Sequence, residues 1–273
     1  MIVDAWIQHP TPAMLGHEMF ASLKRWMRAD GIPTEIPLQL TLAALQQAGV
    51  DRALCSAWYG PTGALVSNDE VAGFVAASGG VLRGVGSVNL RKPMDAVREV
   101  RRCKERGFVG IRVLPWLWDL PPDDRRYYPI YVACVEEGLP FCLQVGHTGP
   151  LMPSEPGRPI PYLDRVALDF PDLTIVGGHI GWPWTSEMIA LATKYPNVYI
   201  DTSAYKPSRY PPELVAYMRS NGRKKVLFGS NWPMIAPAAC VAEVDALALD
   251  DESKALFLSQ NAVRVFRLAE EAA

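Results

Sequence analysis

Apolar runs of four to eight residues, rich in β-branched types, recur along the chain. They cover residues 2–8, 52–58, 82–89, 109–115, 140–146, 173–179, 197–204 and 225–231. Each is followed by a stretch in which apolar positions return with helical spacing: 40–49, 68–78, 94–107, 128–138, 162–170, 185–195, 211–221 and 252–268. Gly49, Gly107 and Gly138 stand where a helix C-terminus favours glycine. Short, mostly apolar strands that alternate with helices predict a parallel sheet buried under those helices. Eight such pairs in 273 residues predict an α/β fold closed into a (β/α)8 TIM barrel, one domain over 1–273. An open doubly wound sheet would want a glycine-rich phosphate loop after the first strand. IVDAWIQHPTP, residues 2–12, has no glycine.

Composition narrows the picture. With 49% hydrophobic residues the chain can bury a large core. A net charge of −2 offers no basic field for nucleic acid. No apolar run approaches the ~20 residues needed to span a bilayer. The first residues mix Asp4, His9, Glu18, Lys24 and Arg25 with apolar positions, unlike a signal peptide. Five cysteines, odd in number and without a CxxC pair, read as reduced thiols of a cytoplasmic protein. The expected partner is a small molecule, with neither nucleic acid nor membrane, and a homodimer is left open.

In a barrel of this kind the active site lies at the C-terminal ends of the strands. Three of the four histidines, His9, His147 and His179, fall there, and imidazole either binds metal or moves protons near neutral pH. Asp4, Trp6 and Gln8 alternate along the first strand and should share a face. Asp4, His147, His179, Asp201 and Asn231 are expected at one mouth. Arg112 interrupts the apolar run GIRVLP, so it needs either an acidic partner, Asp201 or Asp4, or a ligand anion. Trp58, Tyr59, Trp116, Trp182 and Tyr205 would suit a flat aromatic ligand.

The segments IVDAWIQH, QVGHTG, VGGHIGWPW, NVYIDTSA and LFGSNWP, taken in order, resemble the amidohydrolase-related branch of the amidohydrolase superfamily. That branch includes aminocarboxymuconate-semialdehyde decarboxylase. The resemblance implies a distorted barrel. It also implies a divalent metal held by an Asp-x-His-x-His pair on strand 1, a histidine after strand 5 and an aspartate after strand 8, with the strand-6 histidine assisting catalysis. His147 and His179 match the two later histidines; Trp6, Gln8 and Asn231 replace the other ligands. His179, His147, Asn231 and Asp201 are therefore the expected catalytic residues. Arg112, Gln8, Trp6, Trp58 and Tyr205 are expected to bind substrate. The cofactor is none or one divalent ion (zinc, iron or manganese), with His9, His147 and His179 as its ligands if present. A bulge in strand 1 would be needed to bring His9 into that set. The main expectation is a hydrolase for a small aromatic or cyclic carboxylate, ester, lactone or amide. The alternatives are a metal-dependent decarboxylase, a lyase of the same family, and a non-catalytic barrel that binds a small molecule or a partner protein.

Overall fold

The computed structural model describes residues 1–26 and 35–268, with the side chain of Trp26 excepted. All eight predicted strands form. In chain order the strands are β1 (Val3–Ile7), β2 (Arg52–Ser56), β3 (Trp58–Gly60), β4 (Gly63–Val66), β5 (Leu82–Gly86), β6 (Gly110–Val113), β7 (Phe141–Gln144), β8 (Ile175–Gly178), β9 (Val198–Asp201) and β10 (Val226–Leu227). Eight pair in parallel in the order β1-β2-β5-β6-β7-β8-β9-β10. The last strand is short, and the chain after it completes the barrel. Ala5 N–H donates to Phe228 O at 2.9 Å, Asn231 N–H to Trp6 O at 2.8 Å and Gln8 N–H to Trp232 O at 3.0 Å.

The helices follow the predicted stretches, for instance Leu38–Gln47, Asn68–Ala77, Pro93–Glu105 and Thr185–Lys194. Their apolar faces cover the outside of the sheet. Leu45 and Ala48 pack on Ala53, Cys55 and Leu82. Inside the barrel, Val3, Ala5, Leu54, Val85, Cys142, Val176 and Leu227 form a layer with Ala262, Val265 and Phe266 of the C-terminal helix. All five cysteines are free and buried. Among the described residues no helix is long and apolar enough to cross a membrane.

Two local departures from the predicted pattern shape the mouth. Between Asp4 and Ile7 the register of β1 against β2 slips, as in a β-bulge. The Trp6 N–H lies within this irregular stretch and donates to Asp4 Oδ1 at 3.2 Å. The second departure is the β3–β4 hairpin, turned by Pro61-Thr62-Gly63. Trp58, read from sequence as the end of a barrel strand, opens this hairpin instead.

Candidate active site

One cavity of about 630 Å³ opens at the C-terminal ends of the barrel strands. That volume suits a small ligand. Its wall is largely aromatic: Phe20, Trp58, Trp116, Trp182 and Tyr205. Phe20 and Trp58 lie 6.0 Å apart between ring centroids, and Trp58 meets Trp116 edge-on at 5.8 Å. The polar lining comes from Gln8, Gln144, His147, His179 and Asn231. Among the described residues no Asp, Glu, Lys or Arg lines it.

His179 follows β8. Its Nδ1 lies 2.6 Å from the Ser203 hydroxyl, and among the described residues Nε2 has no hydrogen-bond partner. Burial, with Arg112 nearby, pushes its pKa down to about 3, so the ring is neutral at physiological pH. Ser203 also supports Asp201: its backbone N–H donates to Oδ1 at 2.8 Å, and its hydroxyl stabilises the carboxylate. When the Ser203 hydroxyl donates to Asp201, its oxygen accepts from Nδ1–H of His179. Nε2 then carries a lone pair into the cavity.

His147 lies past β7, its backbone N–H donating to Trp182 O at 2.6 Å and its ring edge-on to Trp182 at 5.6 Å. Burial lowers its pKa. Gln144, at the end of β7, was not singled out from the sequence. It accepts from Trp116 Nε1 at 2.7 Å and donates to His147 O at 2.9 Å, tying a wall tryptophan to the histidine loop. Its signal was available in PFCLQVG: Gln144 is two residues on from Cys142, which shares the barrel interior.

The cavity thus gathers His147, His179, Asn231, Gln8, Trp58 and Tyr205. Burial pushes the Tyr205 phenol up to about 12. Five other expectations need correction. Trp6 is fully buried and lies beneath the floor, its ring 4.5 Å from His179. It fits there because Gly178 has no side chain; a Cβ on Gly178 would come within 2.9 Å of the indole. Arg112 is also fully buried and does not reach the cavity wall. Its guanidinium lies 3.5 Å from the Trp6 ring centroid, and Nη2 donates to Ala5 O at 3.1 Å. Burial depresses its pKa, and among the described residues Nε and Nη1 have no hydrogen-bond partner. Asp201 is buried beside it at a pKa raised to about 6 by burial, offset by Arg112. Among the described residues it is linked to His179 through Ser203.

His9 is the fourth. The bulge is present, yet the ring turns into the helix seam, with Nδ1 2.8 Å from Thr41 Oγ1 and Phe74 edge-on at 4.6 Å. Asp4 is likewise not part of the mouth: its carboxylate accepts from Ser230 N–H at 2.9 Å and from the Ser230 hydroxyl at 2.5 Å. Burial raises its pKa to about 7.

These positions decide whether a family-type metal fits. Trp6 offers no lone pair, Asn231 is a neutral amide, and both ends of the Gln8 amide are engaged. His179 has one ring nitrogen on Ser203. Among the described residues no three His, Cys, Asp or Glu side chains are grouped to hold a metal ion. The donor set does not fit, since zinc wants three or four nitrogen, sulfur or carboxylate ligands.

A parallel barrel with imidazoles in an aromatic cavity at its C-terminal mouth defines a small-molecule enzyme site of the TIM-barrel class. The sequence pattern of the amidohydrolase family matches residues 28–268, and the chain belongs to that family. No curated protein matches the chain. An uncharacterised TIM-barrel protein from Bordetella bronchiseptica is 25% identical, with 97% of this chain and 98% of that one covered and a TM-score of 0.84. A dihydroxybenzoic acid decarboxylase from Polaromonas, solved with manganese and the inhibitor 2-nitroresorcinol, is 17% identical (99% and 98% covered, TM-score 0.70). A probable 2-pyrone-4,6-dicarboxylic acid hydrolase from Acinetobacter baumannii, with bound citric acid, is 14% identical (98% and 99% covered, TM-score 0.68).

Proposed function

We propose that this amidohydrolase-family enzyme uses His179 as its acid–base group on a small, flat aromatic or cyclic substrate, and that the reaction is hydrolysis of an uncharged ester, lactone or amide. The observation that carries this is the His179 ring, fixed through Nδ1 by Ser203, with Nε2 free at an aromatic wall that bears no charged side chain among the described residues. In the step, a water oxygen bonds to the substrate carbonyl carbon while its proton passes to Nε2. The carbonyl π pair moves onto oxygen. Collapse of that intermediate breaks the bond to the leaving group, which takes the proton back from Nε2. An isolated carboxylate would have to shed its hydration with no cation among the described wall residues to replace it.

Loss of CO2 from an aromatic acid is the second reading. Several structures of similar fold are decarboxylases of aromatic acids, and the comparisons favour this reaction over hydrolysis. Here the carboxylate would lose CO2 and the ring carbon would take a proton, with His179 as its carrier. A screen with purified protein separates the two readings. Aromatic lactones, esters and amides are followed for acid release, and hydroxylated benzoates for CO2. Turnover confined to the uncharged panel supports hydrolysis; turnover confined to the acids replaces it with decarboxylation. Saturable binding of either panel without turnover would return the barrel to a non-catalytic binding role.

A further inference from the structure

The polar groups at the cavity floor form a chain with only one consistent arrangement of donors and acceptors. An indole N–H is donor only. Trp6 Nε1 donates to Gln8 Oε1 at 3.2 Å, so the carbonyl end of that amide is settled. The other end, Nε2, then faces Trp232 O at 2.5 Å, a backbone acceptor that could not pair with a carbonyl oxygen. The same Nε2 lies 3.1 Å from the Asn231 side chain, so Asn231 presents Oδ1 there. Its NH2 end must turn the other way. Asn231 lines the cavity, and Nδ2 has no partner among the described residues.

The start of the chain cannot swing. The indole is fully buried, between the Arg112 guanidinium at 3.5 Å and the bare backbone of Gly178. Its end is held as well. The Asn231 N–H donates to Trp6 O at 2.8 Å, and its φ of 69° is a left-handed conformation that asparagine tolerates.

We propose that Trp6 is a positioning residue which, acting through Gln8, holds the Asn231 amide with its NH2 toward the cavity, so that the site takes its substrate by an uncharged carbonyl oxygen. The donor is aimed where negative charge would grow as water adds to that carbonyl. The proposal rests on the hydrolytic reading only for the fate of the carbonyl. Binding through Asn231 does not require turnover.

The test uses coumarin, a flat aromatic lactone, labelled with ¹³C at the carbonyl and bound to the full chain. Isotope-edited infrared spectra report the hydrogen bond on that oxygen directly. With wild type, the carbonyl band moves to lower frequency than in a non-hydrogen-bonding solvent. Asn231→Gly suits the positive φ and removes the donor; Asn231→Asp keeps the shape and replaces NH2 by oxygen. Both lose the shift and bind coumarin about tenfold more weakly, roughly the worth of one neutral hydrogen bond. Trp6→Phe deletes the indole N–H. Gln8→Glu removes the group that donates to Asn231 Oδ1 without opening a void, so it serves if Trp6→Phe folds poorly. Both reduce the shift with Asn231 intact. An unshifted band in wild type, or no saturable binding of coumarin, phthalide or benzamide, overturns the carbonyl assignment. A shift that survives Asn231→Gly overturns the role of Asn231, and one that survives both Gln8→Glu and Trp6→Phe overturns the relay. A shifted band without turnover of any lactone, ester or amide removes the hydrolytic reading and leaves the relay standing.

Discussion

His179 and Arg112 are both buried nitrogen bases, but their surroundings give them different work. His179→Asn is expected to lower turnover of the true substrate by ~10²–10⁴, the usual worth of a general acid–base group. Ligand binding should change little, since asparagine leaves the aromatic wall of the cavity intact. Equal rates in wild type and variant would remove His179 from the mechanism. For Arg112 the effect should appear in stability. Among the described residues two of its guanidinium nitrogens are buried without hydrogen-bond partners, and its charge is balanced through space by the Asp201 carboxylate beside it. Removing one member of a buried charged pair leaves the other uncompensated and costs up to ~3–5 kcal/mol. Arg112→Met should therefore melt below the wild-type temperature at pH 7, and by less near pH 5, where Asp201 holds its proton in the folded chain. An unchanged melting temperature at pH 7 would show that Arg112 does not compensate Asp201. That Arg112 faces the interior was legible in GIRVLP; that an indole lies between it and the cavity was not, because Trp6 comes from a different strand.

At the scale of elements, the mouth depends on close backbone approach. A Cβ on Gly178 would meet the Trp6 ring at 2.9 Å, and one on Gly146, already at φ +86°, would meet Trp182 O at 2.4 Å. Gly178→Ala pushes against a side chain and should cost ~1–3 kcal/mol, as overpacking does. Gly146→Ala pushes against backbone in a left-handed conformation and should cost more. Chemical denaturation checks the order; Gly178→Ala as the more damaging change would show that Trp6 cannot yield. Strand and helix positions were readable because each carries its own periodicity. The β3–β4 hairpin and the short helix Pro115–Trp118 were not, although they place Trp58 and Trp116 on the cavity wall. Elements of three or four residues are too short for a period to register, and only PTG at 61–63 marked the turn.

For the whole molecule, two measurements follow. Protein purified without added metal should hold well under one equivalent of zinc, iron or manganese by elemental analysis, because no metal ligand set is grouped among the described residues. Stoichiometric metal, with activity lost to a chelator, would sink both this expectation and the metal-free hydrolytic step. The second concerns pH. Asp201 and Asp4 keep their protons in the folded chain up to about 6 and about 7, against an ordinary value of 3.8. Their raised pKa values stabilise the fold fully below about pH 4, and that contribution is lost as pH rises through 6 and 7. Wild type should lose stability over that window, and Asp201→Asn should flatten the decline. An identical pH dependence in the variant would mean that Asp201 is already ionised in the folded state at low pH.

The barrel followed from the chain alone, because eight apolar runs and eight amphipathic stretches can bury their apolar surface in few other ways. The sequence also placed His147, His179 and Asn231 at strand ends, where the architecture puts an active site. Which groups reach the cavity was decided by tertiary structure. His9 is adjacent in sequence to Gln8, yet it turns to Thr41 across the helix seam. Trp6 and Arg112 stack into a floor because Gly178 leaves room for an indole. Side-chain direction at a mouth depends on bulges and on contacts between residues far apart in sequence, and periodicity carries no record of either.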